Sequence, residues 1–219
     1  LRANDLWVVD VDTQHERALT SGGTDRVRNG KAGWVYFEEL YNRSWKLYWW
    51  SPHSARIAYI RIDSTPEKTF TIVNNVPGDQ AVEVSPFPRP GEPNPRASVR
   101  VVSVAGGEPT DADLSGYDAE AMLVTGIGWW PDSSSFYAFV QNRTQTWLDM
   151  VSFPAGGGGG TKLFRETTGA WVDTPGAPEF LKDGSFLILS ERTGFKHLYH
   201  YAQDGSLRTQ VTNGDWDVR

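Results

Sequence analysis

No cysteine occurs in the 219 residues. That excludes disulfides, thiolate zinc sites and cysteine nucleophiles together, and it leaves oxidising and reducing compartments equally open. No apolar run comes near the roughly 20 residues that a membrane-crossing helix needs. No Gly-x-Ser-x-Gly elbow occurs either, so the chain lacks the signature of an α/β-hydrolase nucleophile. Basic residues are in deficit, 21 Lys+Arg against 27 Asp+Glu for a formal net charge of −6, and a chain without a basic excess does not suit nucleic acid. The first residues show no basic-then-apolar leader.

What the chain has instead is turns and aromatics: 22 glycines, 13 prolines, 10 tryptophans and 13% aromatic residues overall. Spread along the chain, these point to short strands joined by tight turns. Two segments near opposite ends repeat one pattern. Leu6-Trp7-Val8-Val9 leads to Thr20, and Leu198-Tyr199-His200-Tyr201 leads over the same interval to Thr212. The second passes through Asp204-Gly205, which predicts a type I′ hairpin. Further copies run from Ala97 to Gly107 and from Thr146 to Phe164, the latter with its tip enlarged by Gly156 to Gly160.

A second unit precedes the later copies: an aromatic, a turn, then an apolar strand. Trp49-Trp50-Ser51-Pro52 before Ile57-Ala58-Tyr59 matches Trp129-Trp130-Pro131-Asp132 before Phe136-Tyr137-Ala138-Phe139. Phe180 to Leu189 is a weaker third copy. A period of about 45–50 residues built from such units is that of a β-propeller blade. The fold expected is therefore all-β, a partial β-propeller of four-stranded antiparallel blades, about three complete and others partial. A small β-sandwich is the competing reading of the same strands. The expected partition is an outer hairpin at 5–23, blades at 34–110, 121–168 and 171–214, and the start of another at 215–219. The Pro-rich tract Pro86 to Pro95 is the expected insertion in the first blade, since proline cannot donate to a ladder. Known propellers close with about 4–8 blades, so this arc is expected to be an excerpt of a longer protein and to self-associate when isolated.

Three ordered stretches resemble the propeller of the dipeptidyl peptidase IV group in the prolyl oligopeptidase family. The first is Gly33-Trp34-Val35-Tyr36-Phe37-Glu38-Glu39-Leu40 ahead of Trp50-Ser51-Pro52. The second is Pro90-Gly91-Glu92-Pro93-Asn94-Pro95. The third joins Trp171-Val172, Ser190 to Tyr199, and Gly214-Asp215-Trp216-Asp217-Val218. The resemblance implies a serine exopeptidase that removes N-terminal dipeptides after proline or alanine. It also implies a C-terminal α/β-hydrolase domain of the same parent chain, which carries the Ser-Asp-His triad. This segment contains no catalytic residue of that triad and is expected to be inactive alone. Glu38 and Glu39 match the family's paired glutamates. They are implied to anchor the free N-terminal amine of peptide substrates, protonated below a pKa of about 7.7–8. Gly33 and Phe37 depart from acidic residues common in the family. Asp173 to Pro178 stands where some members carry an aromatic–arginine pair, so that feature is not carried over.

No metal or cofactor is expected. His197 and His200 would share a face only on a helix, and this stretch reads as strand. Asp10-Val11-Asp12 and Asp111-Ala112-Asp113 lack the glycine and terminal glutamate of a calcium loop and read as turns. Gly156 to Gly160 has no following Lys-Ser/Thr and reads as a floppy tip rather than a phosphate loop. Asn42-Arg43-Ser44 and Asn142-Arg143-Thr144 fit the glycosylation sequon. Most tryptophans are expected to pack in blade cores rather than stack on sugars. The alternative function is a non-enzymatic propeller module that binds protein or glycan.

Overall fold

Each aromatic–turn–apolar unit becomes the inner half of a sheet. A computed structural model of the protein describes residues 1–76, 78 and 81–219. β1 (Trp7–Val9) and β2 (Glu16–Ala18) form a hairpin. β3 (Val27–Asn29) and β4 (Tyr48–Trp50) both pair with one edge of β5 (Arg56–Asp63). β6 (Thr69–Val73) and β7 (Val82–Pro86) make a separate two-stranded arm. β8 (Arg96–Ser103) takes the other edge of β5, and β9 (Thr110–Asp113) follows it. β10 (Met122–Trp129), β11 (Ser135–Asn142), β12 (Trp147–Pro154) and, after β13 (Gly158–Gly159), β14 (Thr161–Thr167) form a four-stranded antiparallel meander. β15 (Glu179–Phe180), β16 (Phe186–Ser190), β17 (His197–Tyr201) and β18 (Leu207–Gln210) form another.

Period-2 alternation sends each central strand's side chains to two different neighbours. Ala58, Ile60 and Ile62 of β5 join Phe136, Ala138 and Val140 of β11 in one core. Ile57 and Tyr59 face the first hairpin with Leu6 and Leu19. Tyr137 and Phe139 turn the other way, onto Phe186, Ile188, Tyr199 and Tyr201. Every seam is thus a face-to-face contact between successive sheets, the arrangement of a partial β-propeller. Burying one such side chain is worth about 1.5–3 kcal/mol, so the seams hold the sheets together.

These faces also correct the register read from the tryptophan pairs. Trp50 pairs with Ile57, and Trp129 pairs with Phe136. Trp50 is therefore equivalent to Trp129, and matching Trp49-Trp50 to Trp129-Trp130 is out by one residue. A one-residue slip would send every core side chain to the wrong seam. The turns agree with the corrected register. Ser51 N–H donates to Arg56 O and Ser54 N–H to Ser51 O, both at 2.8 Å. Trp130 and Ser133 repeat those bonds at 2.9 Å, with Ser54 and Ser133 both left-handed.

Five other expectations change. At Asp204-Gly205 only Gly205 has positive φ (85°), and Ala202 N–H bonds Ser206 O, so the loop has three residues closed by a glycine bulge rather than a type I′ turn. The insertion in the first blade is chiefly the β6–β7 arm, and Pro86 ends β7 opposite Thr69, where a strand terminus tolerates a missing donor. Gly156 to Gly160 is a docked tip: Gly158 and Gly159 pair in parallel with Ala112 and Asp113, adding β13 to the outer edge of the neighbouring sheet. Asp111 and Asp113 accordingly lie in strand β9, Asp111 paired with Arg100 at 2.7 Å, whereas Asp10 does cap a turn. Five of the ten tryptophans (34, 45, 50, 171 and 216) are exposed: Trp50 ends strand β4 and the other four lie outside the strands, none of them buried in a seam.

Candidate functional site

Glu38 and Glu39 lie where the inner edge of the first sheet is interrupted. After β3 the chain turns at left-handed Gly30 (φ 72°), leaves the sheet, and re-enters it as β4. The neck is closed by Leu47 N–H to Gly30 O (3.0 Å), Ala32 N–H to Trp45 O (3.1 Å) and a bridge between Lys31 and Lys46. Within this loop Tyr36–Leu40 is a π-helical turn, with Tyr41 N–H bonded to Tyr36 O at 2.9 Å. Such widened turns recur at functional positions.

Two tyrosines fasten the turn to the next sheet. Among the described residues β10 is an edge strand paired only with β11, so the outward N–H and C=O of Val124 need other partners. Val124 N–H donates to Tyr36 Oη and Tyr41 Oη donates to Val124 O, each at 3.1 Å, with the two rings stacked 6.2 Å apart. Burial pushes both phenols well above their ordinary pKa, so they stay protonated at any physiological pH. Trp34, at the head of the turn, packs edge-on against Phe87 at the root of the arm, 4.3 Å between centroids. Phe37 stacks on Trp45 at 3.9 Å.

The two adjacent carboxylates are not equivalent. Glu38 is half-buried, its side chain 32% exposed, and Arg43 Nε donates to its two oxygens at 3.2 and 3.0 Å. That hydrogen bond first, and then the charge itself, hold the Arg43 guanidinium above its usual pKa. Glu39 is exposed and has no hydrogen-bond or ion-pair partner among the described residues. The arrangement offers a cation one engaged and one open carboxylate on a turn fixed to two sheets. The motif containing Tyr36 was legible in the sequence; the roles of Tyr41, Arg43 and Val124 were not, because each acts through a contact outside the matched motif.

Other chemistry-bearing groups resolve into structural roles. Ser185, His200 and Asp183 meet in the last sheet, His200 Nε2 lying 2.9 Å from Ser185 Oγ. The serine hydroxyl donates to Asp183, which also pairs with Arg208 at 2.9 Å and is held well below the usual carboxylate range. In a hydrolytic triad the carboxylate orients the imidazole, not the serine, so this is a turn cap. His197 is buried against Trp216 and bonded to Thr212 and Gly214, on the opposite side of β17 from His200. Asn142 caps its own turn through Thr144, Thr146 and Trp147, while Asn42 is exposed. Among the described residues no group of three or more His, Asp or Glu could hold a metal, and no helix is long and apolar enough to cross a membrane. A groove of about 800 Å³ runs beside Trp171, Val172, Asp173 and Arg192. Arg192 there is engaged by Glu166 and Tyr201.

Comparison with known proteins places these features in context. The family model for the dipeptidyl peptidase IV (DPP IV) N-terminal region matches residues 1–219. A probable dipeptidyl peptidase 4 of Aspergillus flavus is 24% identical over 233 residues, covering all of this chain and 30% of that protein. Dipeptidyl peptidase 4 of Arthroderma otae is 27% identical, covering all of this chain and 29% of its own length. The chain therefore spans under a third of these relatives. In structure it superposes on Porphyromonas gingivalis dipeptidyl peptidase 4 with a TM-score of 0.88 at 24% identity, covering 100% of this chain and 31% of that one. A putative dipeptidyl aminopeptidase IV of Bacteroides ovatus gives 0.80 at 19% identity, with 95% and 33% covered. At those identities the structural likeness speaks to the fold.

Proposed function

The chain belongs to the family of the dipeptidyl peptidase IV N-terminal region, and from that membership we propose that it is the substrate-gating propeller region of a serine exopeptidase. Its task is to anchor the free N-terminal amine of a peptide. A C-terminal α/β-hydrolase domain of the same parent chain then releases the N-terminal dipeptide, X-Pro or X-Ala. The observation that carries this reading is the carboxylate pair Glu38 and Glu39 on a turn fastened to Val124 by two tyrosines. An ammonium has three donors, and charge-assisted bonds to two anchored carboxylates satisfy most of them. A fixed distance from that anchor to the nucleophile would count out two residues, which yields exopeptidase specificity without a closed end.

In the full-length protein, Glu38→Ala and Glu39→Ala are each expected to lower kcat/KM on an X-Pro amide by at least about ten-fold, the scale of losing charge-assisted hydrogen bonds. Unchanged kcat/KM in both variants would sink the amine clamp. It would leave the reading of a propeller that binds protein or glycan without taking part in proteolysis.

A further inference from the structure

The ion pair between Arg43 and Glu38 is assembled by the backbone. Asn42 and Arg43 are consecutive non-glycine residues with left-handed φ, 47° and 64°. That conformation is unfavourable for side chains bearing a Cβ and persists where its surroundings enforce it. Here Arg43 N–H is bonded to Phe37 O at 2.8 Å, which folds the chain back beneath the π-turn. The reversal brings the guanidinium to Glu38, five residues upstream, while most of the Arg43 side chain stays exposed. Arginine also departs from a cation that merely neutralises: it stays charged at every working pH and its remaining donors are fixed in one plane.

The electrostatic consequence is specific. Glu38, Glu39 and Arg43 sum to one negative charge, equal and opposite to a single ammonium. Two bare carboxylates would present twice that charge to any cation. We propose that Arg43 is an affinity-setting residue of the clamp, an internal counter-cation that holds Glu38 in the free protein, so that an incoming peptide amine meets Glu39 first and shares Glu38 with Arg43. This rests on the amine-clamp reading above. It adds that the two glutamates have unequal roles and that the clamp's affinity is held down from within the same loop.

The test is steady-state kinetics on the full-length protein at low ionic strength, with an X-Pro amide substrate. Arg43→Met keeps the aliphatic stem and removes the competitor, so KM is expected to fall about three- to five-fold, the scale of one exposed ion pair. Because substrate and transition state would gain equally, kcat should stay within about two-fold. Arg43→Lys should keep a KM near that of the parent protein. The benefit of Arg43→Met should disappear in a Glu38→Gln background, since the cycle isolates the pairwise term. Glu39→Ala should cost more kcat/KM than Glu38→Ala. A KM that is unchanged or raised in Arg43→Met, or a fall that persists in the Glu38→Gln background, overturns the role given to Arg43. If Glu39→Ala nevertheless loses activity, the clamp itself stands. If Glu38→Ala and Glu39→Ala both leave kcat/KM unchanged, the clamp falls and this inference falls with it.

Discussion

Val124 contributes no side-chain chemistry to the candidate site, yet its two backbone groups decide where the carboxylates sit. Tyr36 and Tyr41 take its N–H and C=O, which no strand among the described residues pairs. Tyr36 is fully buried, so Tyr36→Phe would leave the Val124 amide without a partner in a dry seam. The expected cost is about 1–3 kcal/mol, read as a lower denaturant midpoint at unchanged m-value. A midpoint within error of the parent's would show that water or a shifted backbone replaces the phenol. At this scale the sequence was partly legible. Glu38, Glu39 and Tyr36 lie in one matched motif, but a backbone amide as anchor leaves no trace in residue identity. Nor does Arg43 announce its pairing with Glu38, because that pairing depends on two left-handed residues that composition does not mark.

At the scale of elements, repeats carried the reading and short pieces escaped it. The turns that end at Ser54 and Ser133 were visible as copies, although the tryptophan pairs set the alignment one residue off. Only the side-chain faces of β5 and β11 decide that register. The three-residue strands β3 and β4 are too short for alternation to show, so the interrupted inner edge that carries the site was invisible. The arm was missed although both of its strands alternate: Phe70 and Ile72 on one face and Val84 and Val82 on the other are all exposed, so the hairpin matches no blade repeat. The glycine tip illustrates a composition with two meanings. Gly157 has φ 84°, and a Cβ there would lie 3.0 Å from Thr110 and 3.1 Å from the Asp111 carbonyl. Gly157→Ala therefore meets both backbone strain and the neighbouring strand. It is expected to cost about 1–2 kcal/mol and to speed hydrogen exchange at Ala112 and Asp113. A flexible tip would instead show no change in either quantity, or a small gain from the stiffer unfolded chain.

For the whole molecule, the seams explain both what is stable and what is unfinished. Each inner sheet buries its two faces against successive neighbours, whereas the first hairpin and the last sheet each have one neighbour within the described residues. Exposed apolar side chains occur at both ends as well as on the β6–β7 arm. Val9 and Val11 are exposed on or beside the first hairpin, and Leu207, Val211 and Trp216 on or beside the last sheet, Val11 reaching 80%. Monomeric proteins rarely expose contiguous apolar patches beyond a few hundred Å², and unpaired sheet edges recruit other strands. The isolated 219-residue chain is accordingly expected to self-associate in a concentration-dependent way, by joining the exposed ends of different copies. Sedimentation velocity across a dilution series tests this. The weight-average mass should rise with concentration, and Val11→Glu combined with Leu207→Glu should return it toward the monomer without loss of the blade cores, since neither side chain is buried. A chain that stays monomeric at every concentration and unfolds in one two-state step would mean that the arc closes its own ends, and the open-propeller account of its stability would fail.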